Sequence, residues 1–134
     1  SQNMSYLQNT YKLPEEVRIC HVSGEDVSRE LLRADIGLMF EPSNEYSSQS
    51  VNVKFYEYIG HGLPVIAYDG SKCADLLKKN GAGWVISAGD LEGIISRLLG
   101  NFTEIKEKST VARKVREKFS WQSRAIEILE NFNQ

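Results

Sequence analysis

The chain has 134 residues, of which 41% are hydrophobic and 25% charged, a length and composition typical of one globular domain. Its formal net charge is -2 and its lysines and arginines are scattered, which argues against nucleic acid or an anionic membrane surface as a partner. Its polar first residues lack the apolar centre of a signal peptide, and no apolar run approaches the roughly 20 residues of a membrane span, so we expect a cytoplasmic protein without a transmembrane segment.

The first predicted elements are a strand and a helix. The apolar residues of "EEVRICHV", which ends at Val22, are typical of a mostly buried strand. Ser23 stands three residues before Asp26, an arrangement close to a capping box, and predicts the start of a helix. The shared apolar face of this helix consists of Val27, Leu31 and Ala34.

Three further strands are predicted, each followed by a helix. They are "DIGLMF" from Asp35 to Phe40, "LPVIAYD" and "GWVISA", and the second has the β-branched character of a central parallel strand. The helix after the first of these strands includes Lys54. The helix after the second runs from Ser71 to Asn80 and stops at Gly81, a residue suited to a left-handed cap.

Three helices are predicted in the last third of the chain. Asp90 is expected to cap the first of them and Ser120 the last, and a highly charged helix lies between them. The apolar stripes are Leu91, Ile94, Ile95, Leu98 and Leu99 in the first helix, Ile105, Ala112, Val115 and Phe119 in the second, and Trp121, Ala125, Ile128, Leu129 and Phe132 in the last.

Alternation of strands and helices predicts an α/β fold, a Rossmann-like parallel sheet of about four strands flanked by helices. Ligands of such sheets bind outside the carboxyl ends of the strands. Among the loops that follow the predicted strands, the one after Phe40 is the longest and most polar, and it leads into the helix that carries Lys54 and Glu57. We therefore expect the binding site here.

The loop "SNEYSSQS" offers small polar side chains and backbone N–H groups just before a helix N-terminus, an arrangement that suits a phosphate. Lys54 could add a positive charge to that phosphate, and Glu57 could accept hydrogen bonds from two ribose hydroxyls. The same pattern is also typical of a solvated Lys-Glu pair after an ordinary serine-rich loop. The residues alone leave both interpretations open.

The cysteines and histidines give no sign of a metal. Cys20 and Cys73 lack CxxC or Cys/His spacing, which argues against a disulfide framework or a zinc site and favours two buried thiols. His61 lies between two glycines at a predicted helix end, and we assign it no role. We expect neither a metal nor a cofactor.

Four segments, "ADIGLMFEPS", "SVNVKFYEYIGHGLPVIAYDG", "NGAGWVI" and "FSWQSRAIEILE", resemble in order and spacing the C-terminal, donor-binding half of the two-domain GT-B nucleotide-sugar glycosyltransferases. They are most similar to the retaining group 1 enzymes that build bacterial capsule, lipopolysaccharide and other surface polysaccharides. The resemblance covers residues 15–134. It implies a hexosyltransferase-like enzyme, cytoplasmic or peripheral to the membrane, whose partners are a UDP- or GDP-linked sugar and an N-terminal acceptor-binding domain.

Site residues follow from this resemblance position by position. Glu57 matches the family's second motif glutamate, which binds the ribose hydroxyls of the donor, and Ser50 and Lys54 match residues of the surface-polysaccharide subtype. The backbone of Val51, Asn52 and Val53 would then face the diphosphate. Gln49 takes the position of the first motif glutamate, and Asn52 replaces a proline of the subtype, so the contact with the donor sugar differs from the family pattern. No residue is identified as a catalytic base or nucleophile.

The family's first strand of this domain, and the loop that carries a basic pair for the phosphates, have no counterpart before Met4. We therefore expect residues 1–134 to form a single, partial nucleotide-sugar-binding domain that is inactive alone. An alternative is a non-catalytic or vestigial Rossmann-like binding domain, which Gln49 in place of a glutamate would favour. A signalling receiver domain is disfavoured because its acceptor aspartate and its lysine are replaced by Phe40-Glu41 and Ala88-Gly89.

Overall fold

The structure is a computed structural model that describes residues 6, 9–41, 45–119, 125, 128–129 and 132, with residues 46 and 47 through their backbone only. Its contacts divide the chain into two compact units, Ser1–Glu30 and Leu31–Gln134. The expectation of one domain over residues 1–134 stays a prediction.

In the first unit, the prediction of a helix after Ser23 is confirmed, and the prediction of a strand before it is wrong. Helix α1 spans Glu25–Leu32, with its last two residues in the second unit, and the Asp26 N–H donates to the Ser23 carbonyl oxygen at 3.2 Å. Residues 17–22 are irregular, and they form no ladder with any described strand. A strand needs a partner for its backbone groups. Val17 is 42% exposed and Cys20 is exposed, so only Cys73 of the two thiols is buried as predicted.

The second unit contains a parallel three-stranded sheet. Strands β1 (Gly37–Met39), β2 (Val65–Tyr68) and β3 (Gly83–Ile86) lie in the order β1-β2-β3. Met39 pairs with Ala67, and Ala67 pairs with Val85. The α/β class and the parallel sheet are confirmed. The described residues form three strands rather than four, because the run ending at Val22 does not pair.

The helices of the second unit connect and flank these strands. They are α2 (Glu45–Gln49), α3 (Val53–Gly60), α4 (Lys72–Asn80), α5 (Leu91–Leu99) and α6 (Phe102–Val115), with 3₁₀ turns at Ala88–Asp90 and Arg116–Phe119. None of the helices in the described ranges has both the length and the apolar character needed to cross a membrane.

Apolar side chains form one buried cluster on each face of the sheet. One cluster joins β1 and β2 to helices α3, α4 and α6, and the other joins β2 and β3 to α5 and the start of α6. The first contains Met39, Phe55, Ile59, Val65, Ala67, Cys73, Ala74, Leu77, Ala82 and Ala112, and the second Ile66, Trp84, Ile94, Leu98 and Ile105. The helices therefore hold both faces of the sheet, as the alternating pattern predicts.

The ends of α4 match their prediction. The Ser71 hydroxyl accepts a hydrogen bond from the Ala74 N–H at 3.0 Å, and Gly81 ends the helix with a left-handed φ of 75°. Asp90 precedes α5 but its side chain makes no capping hydrogen bond. It ends a 3₁₀ turn with φ −99° and ψ 1°, whereas a capping side chain requires an extended backbone.

The predicted apolar stripes are confirmed in part. Ile105 and Ala112 of α6 are buried, while Leu99 lies at the edge of the α5 stripe and is 67% exposed. The predicted cap Ser120 and Trp121 lie outside the described residues. Of the last stripe, Ile128, Leu129 and Phe132 are helical and exposed.

Candidate functional site

The first turn of α3 lies at the carboxyl edge of the sheet. Strands β1 and β2 are parallel and adjacent, so the connection between them must return the chain to the starting edge. Helix α3 makes that return, and its N-terminus is therefore near the end of β1. This is the edge at which ligands of such sheets bind.

Asn52 caps this helix. Its backbone is extended, with φ −65° and ψ 139°, and its side-chain Oδ1 accepts a hydrogen bond from the Lys54 N–H at 2.9 Å. The cap engages one of the backbone donors that the sequence offers to a phosphate. Gln49, which ends α2, is exposed, and Ser50 and Val51 are half-buried between the two helices.

The remaining predicted residues lie on the solvent side of α3. Phe55 and Ile59 point into the core and are fully buried, which leaves Val53, Lys54 and Glu57 exposed. No ion pair joins Lys54 to Glu57, although both are within the described part of the chain.

Glu57 lines a cleft of about 350 Å³ between α3 and the 3₁₀ turn that follows α6. A cleft of this size is at the lower end of the range for small-molecule sites, about 300–1,000 Å³. Its walls are formed by Val53, Tyr56, Glu57, Gly60, His61, Arg116, Glu117 and Phe119. Of the predicted site residues, the structure brings Val53 and Glu57 into this cleft. Gln49, Ser50, Val51, Asn52 and Lys54 are not among its walls.

Aromatic packing holds the far wall of this cleft in place. The Phe119 ring lies 5.6 Å from Phe55 and 5.7 Å from Tyr56, measured between ring centroids. His61 is also fixed, since its Nδ1 lies 2.7 Å from the Glu57 carbonyl oxygen. Two carboxylates, those of Glu57 and Glu117, thus line one cleft with the His61 imidazole and the Arg116 guanidinium. The stripe of α6 predicts Phe119 as a packing residue, but no sequence signal places Arg116 in the same cleft as Glu57.

A second carboxylate, which sequence reasoning missed, lies at the end of β1. Glu41 is half-buried, and its Oε2 is shielded from solvent without a hydrogen-bond partner among the described residues. Burial raises the pKa of the nearby Cys73 thiol; a hydrogen bond with the Asn52 backbone lowers it, and the charge of Glu41 raises it further. Glu41 follows β1 at the carboxyl edge of the sheet, the edge at which α3 also begins.

The adjoining turn after β2 is held by polar contacts. Lys78 donates a hydrogen bond to Asp69 at 2.6 Å, and this contact, with a further one from the Gly70 N–H, lowers the pKa of Asp69. The ring of Tyr68 stacks on Phe40, with centroids 4.9 Å apart. Among the described residues, no group of three or more His, Cys, Asp or Glu side chains could hold a metal ion.

The chain is similar to a known protein family and to a curated protein. The family model described as "Glycosyl transferase-like" matches residues 9–130 of this chain. Glucosyltransferase 3 of Streptococcus parasanguinis is 27% identical to it over 96 residues, which are 69% of this chain and 28% of that protein. The chain thus spans little more than a quarter of the length of this curated relative.

Proposed function

Because the chain belongs to the glycosyl transferase-like family, we propose that it binds the nucleotide of a nucleoside diphosphate sugar for a glycosyltransferase. The observation that carries this proposal is the position of Glu57, exposed in a cleft beside a helix that starts at the carboxyl edge of a parallel sheet. A carboxylate there can accept hydrogen bonds from vicinal ribose hydroxyls.

Under this proposal, the site residues bind different parts of the donor. Glu57 binds the ribose of the donor. The backbone of Ser50 to Val53 and the positive end of the α3 dipole face the diphosphate, and Lys54 supplies a cation to it. Gln49 contacts the sugar as a neutral amide. Together these groups stabilise the departing diphosphate, as preorganised dipoles and charges do in other group transfers.

The wider proposal is a retaining, hexosyltransferase-like enzyme of the GT-B fold, in which this chain forms the C-terminal, donor-binding part. The complete enzyme would transfer a sugar from a UDP- or GDP-linked donor to a bacterial surface polysaccharide, such as capsule or lipopolysaccharide, or to a lipid-linked acceptor. An N-terminal domain would bind the acceptor and complete the cleft. It would work in the cytoplasm or at the membrane surface. No residue of this chain is assigned as base or nucleophile, and we expect the chain alone to transfer no sugar.

The experiment that tests the proposal is an NMR titration of the chain with UDP and with GDP, repeated on Glu57→Ala. We expect weak binding, with a Kd on the order of millimolar. Amide shifts should centre on residues 50–57 and disappear in Glu57→Ala. Glu92→Ala, which removes an exposed carboxylate from α5, is the matched control and should bind like the wild type.

The alternative is a Rossmann-like domain that has kept the fold and lost the chemistry. The neutral Gln49 at the position of the first motif glutamate is the observation that favours it. Under this alternative neither UDP nor GDP shifts the amide signals of residues 50–57, in the wild type or in any variant. That result would reject the proposed donor site.

A further inference from the structure

Glu41 carries a shielded carboxylate oxygen that makes no hydrogen bond to the described residues. It follows β1 at the carboxyl edge of the sheet, and its Oε2 is shielded from solvent. Among the residues that the structure describes, this oxygen has no hydrogen-bond partner. A shielded acceptor without a partner destabilises a fold, since it loses its hydrogen bonds to water and gains none. Stability alone therefore gives no reason for a glutamate here.

The surroundings of Glu41 connect it to the start of α3. The Cys73 thiol in the first turn of α4 is affected both by the charge of Glu41 and by a hydrogen bond with the Asn52 backbone. Glu41 and the first turn of α3 also lie at the same edge of the sheet, because β1 ends there and α3 returns the chain from it to β2. Asn52 is the residue at which α3 begins, so the carboxylate lies beside the proposed diphosphate position.

The charge and hydrogen-bonding capacity of a carboxylate determine which part of a ligand it can bind. A carboxylate repels a phosphate and accepts hydrogen bonds from hydroxyl groups. In a nucleoside diphosphate sugar, the hydroxyl-bearing group on the far side of the diphosphate from the ribose is the sugar. We infer that Glu41 is a specificity-determining residue whose carboxylate accepts hydrogen bonds from hydroxyls of the donor sugar. This inference rests on the proposed function of the α3 site.

The side chain of Glu41 can reach such a ligand by a small movement. The last torsion of a glutamate is broad and roughly two-fold, so the carboxylate can turn its unpaired oxygen without leaving its rotamer. The neighbouring polar residues are less suited. Gln49 is exposed and carries no charge, and Glu45 is exposed in the first turn of the short helix α2. A hydrogen bond to a charged acceptor is the stronger one.

The test compares each nucleoside diphosphate with its glucose conjugate. The full chain is titrated with UDP, UDP-glucose, GDP and GDP-glucose. For each base, the Kd of the diphosphate is divided by the Kd of its glucose conjugate, so that a larger ratio means a larger gain in affinity from the sugar. We expect the conjugate of the accepted base to bind more tightly to the wild type, and Glu41→Gln to lower this ratio about tenfold while the Kd of the diphosphate changes little. Glu45→Gln is the matched control and keeps the wild-type ratio.

The remaining outcomes separate failure of the proposed function from failure of the inference about Glu41. If UDP and GDP both fail to bind the wild type, the proposed function is wrong, and the inference is wrong with it. If a diphosphate binds but its conjugate binds no more tightly, or the ratio is the same in Glu41→Gln, the inference alone is wrong. An equal tightening of diphosphate and conjugate in Glu41→Gln would mean that Glu41 only opposes the phosphates, which also overturns the inference. If Glu41→Gln does not fold, Glu41→Asp replaces it, and an unchanged ratio there has the same meaning.

Discussion

Asn52 shows how one side chain can fix the place where a ligand would bind. Its Oδ1 accepts the Lys54 N–H at 2.9 Å, and its own carbonyl oxygen accepts the Phe55 N–H at 3.0 Å. These two contacts define the start of α3. They also fix the direction of the helix dipole at the carboxyl edge of the sheet.

Replacement of Asn52 should therefore weaken the fold at this point. We expect Asn52→Ala to lower the free energy of unfolding by about 1 kcal/mol, the usual cost of losing an N-cap. For a domain of this size that corresponds to a fall in Tm of about 4 °C. Thermal unfolding followed by circular dichroism measures it. Asn52→Ser keeps an acceptor at the cap and should stay close to the wild type; an equal loss in both variants would contradict a capping role.

Residues of the candidate site differ in how far the sequence predicts them. The exposure of Glu57 follows from the helical period, because Phe55 and Ile59 occupy the core-facing side of α3. Arg116 and Glu57 line one cleft because of how α6 packs, although they lie far apart in the chain. The shielding of Glu41 also depends on tertiary packing. Periodicity and motif spacing carry no information on either arrangement.

At the scale of elements, apolar runs predict strands only where a partner strand is available. The runs that contain Gly37–Met39, Val65–Tyr68 and Gly83–Ile86 pair side by side, and all three predictions are confirmed. The run that ends at Val22 has the same apolar character and does not pair in the described structure. Strand character is local, whereas pairing depends on what lies beside the strand.

The pairing of β3 with β2 depends on a glycine. A Cβ atom at Gly83 would lie 1.9 Å from the carbonyl oxygen of Val65, its ladder partner. That backbone atom cannot move without breaking the sheet. We expect Gly83→Ala to destabilise the domain by about 3 kcal/mol or more, measured by urea unfolding.

Gly93 gives a matched control for this substitution. It lies within α5, and a Cβ atom there would meet no other atom within 4 Å. Gly93→Ala should stabilise the protein by about 0.5–1 kcal/mol, because alanine is favoured over glycine inside helices. If Gly83→Ala unfolded at the same urea concentration as the wild type, that result would contradict the close approach of β3 to the Val65 backbone of β2.

At the scale of the whole molecule, one carboxylate connects the sheet to two helices. Glu104 of α6 accepts a hydrogen bond from the Trp84 indole N–H of β3 at 2.9 Å, and it pairs with Arg97 of α5. The side chain of Asn101 donates a further hydrogen bond to it at 3.3 Å. These contacts lie beside the apolar cluster between the sheet and α5. A polar network of this kind fixes the relative placement of the elements that it joins.

The same network predicts how the stability of the protein depends on pH. Hydrogen bonds from Trp84 and then from Arg97 lower the pKa of Glu104 below its ordinary value of 4.5. A carboxylate with a lowered pKa in the folded state contributes stability that is complete above the ordinary value and is lost as the pH falls through the lowered one. We expect Glu104→Gln to lower the Tm at pH 7, and its difference from the wild type to shrink as the pH falls below 4.5. Glu92→Gln, which changes an exposed carboxylate of α5, should follow the wild-type curve across the whole range. A constant difference between Glu104→Gln and the wild type from pH 7 to pH 2 would show that the ionised form of Glu104 does not stabilise the fold, and that its contacts act through packing alone.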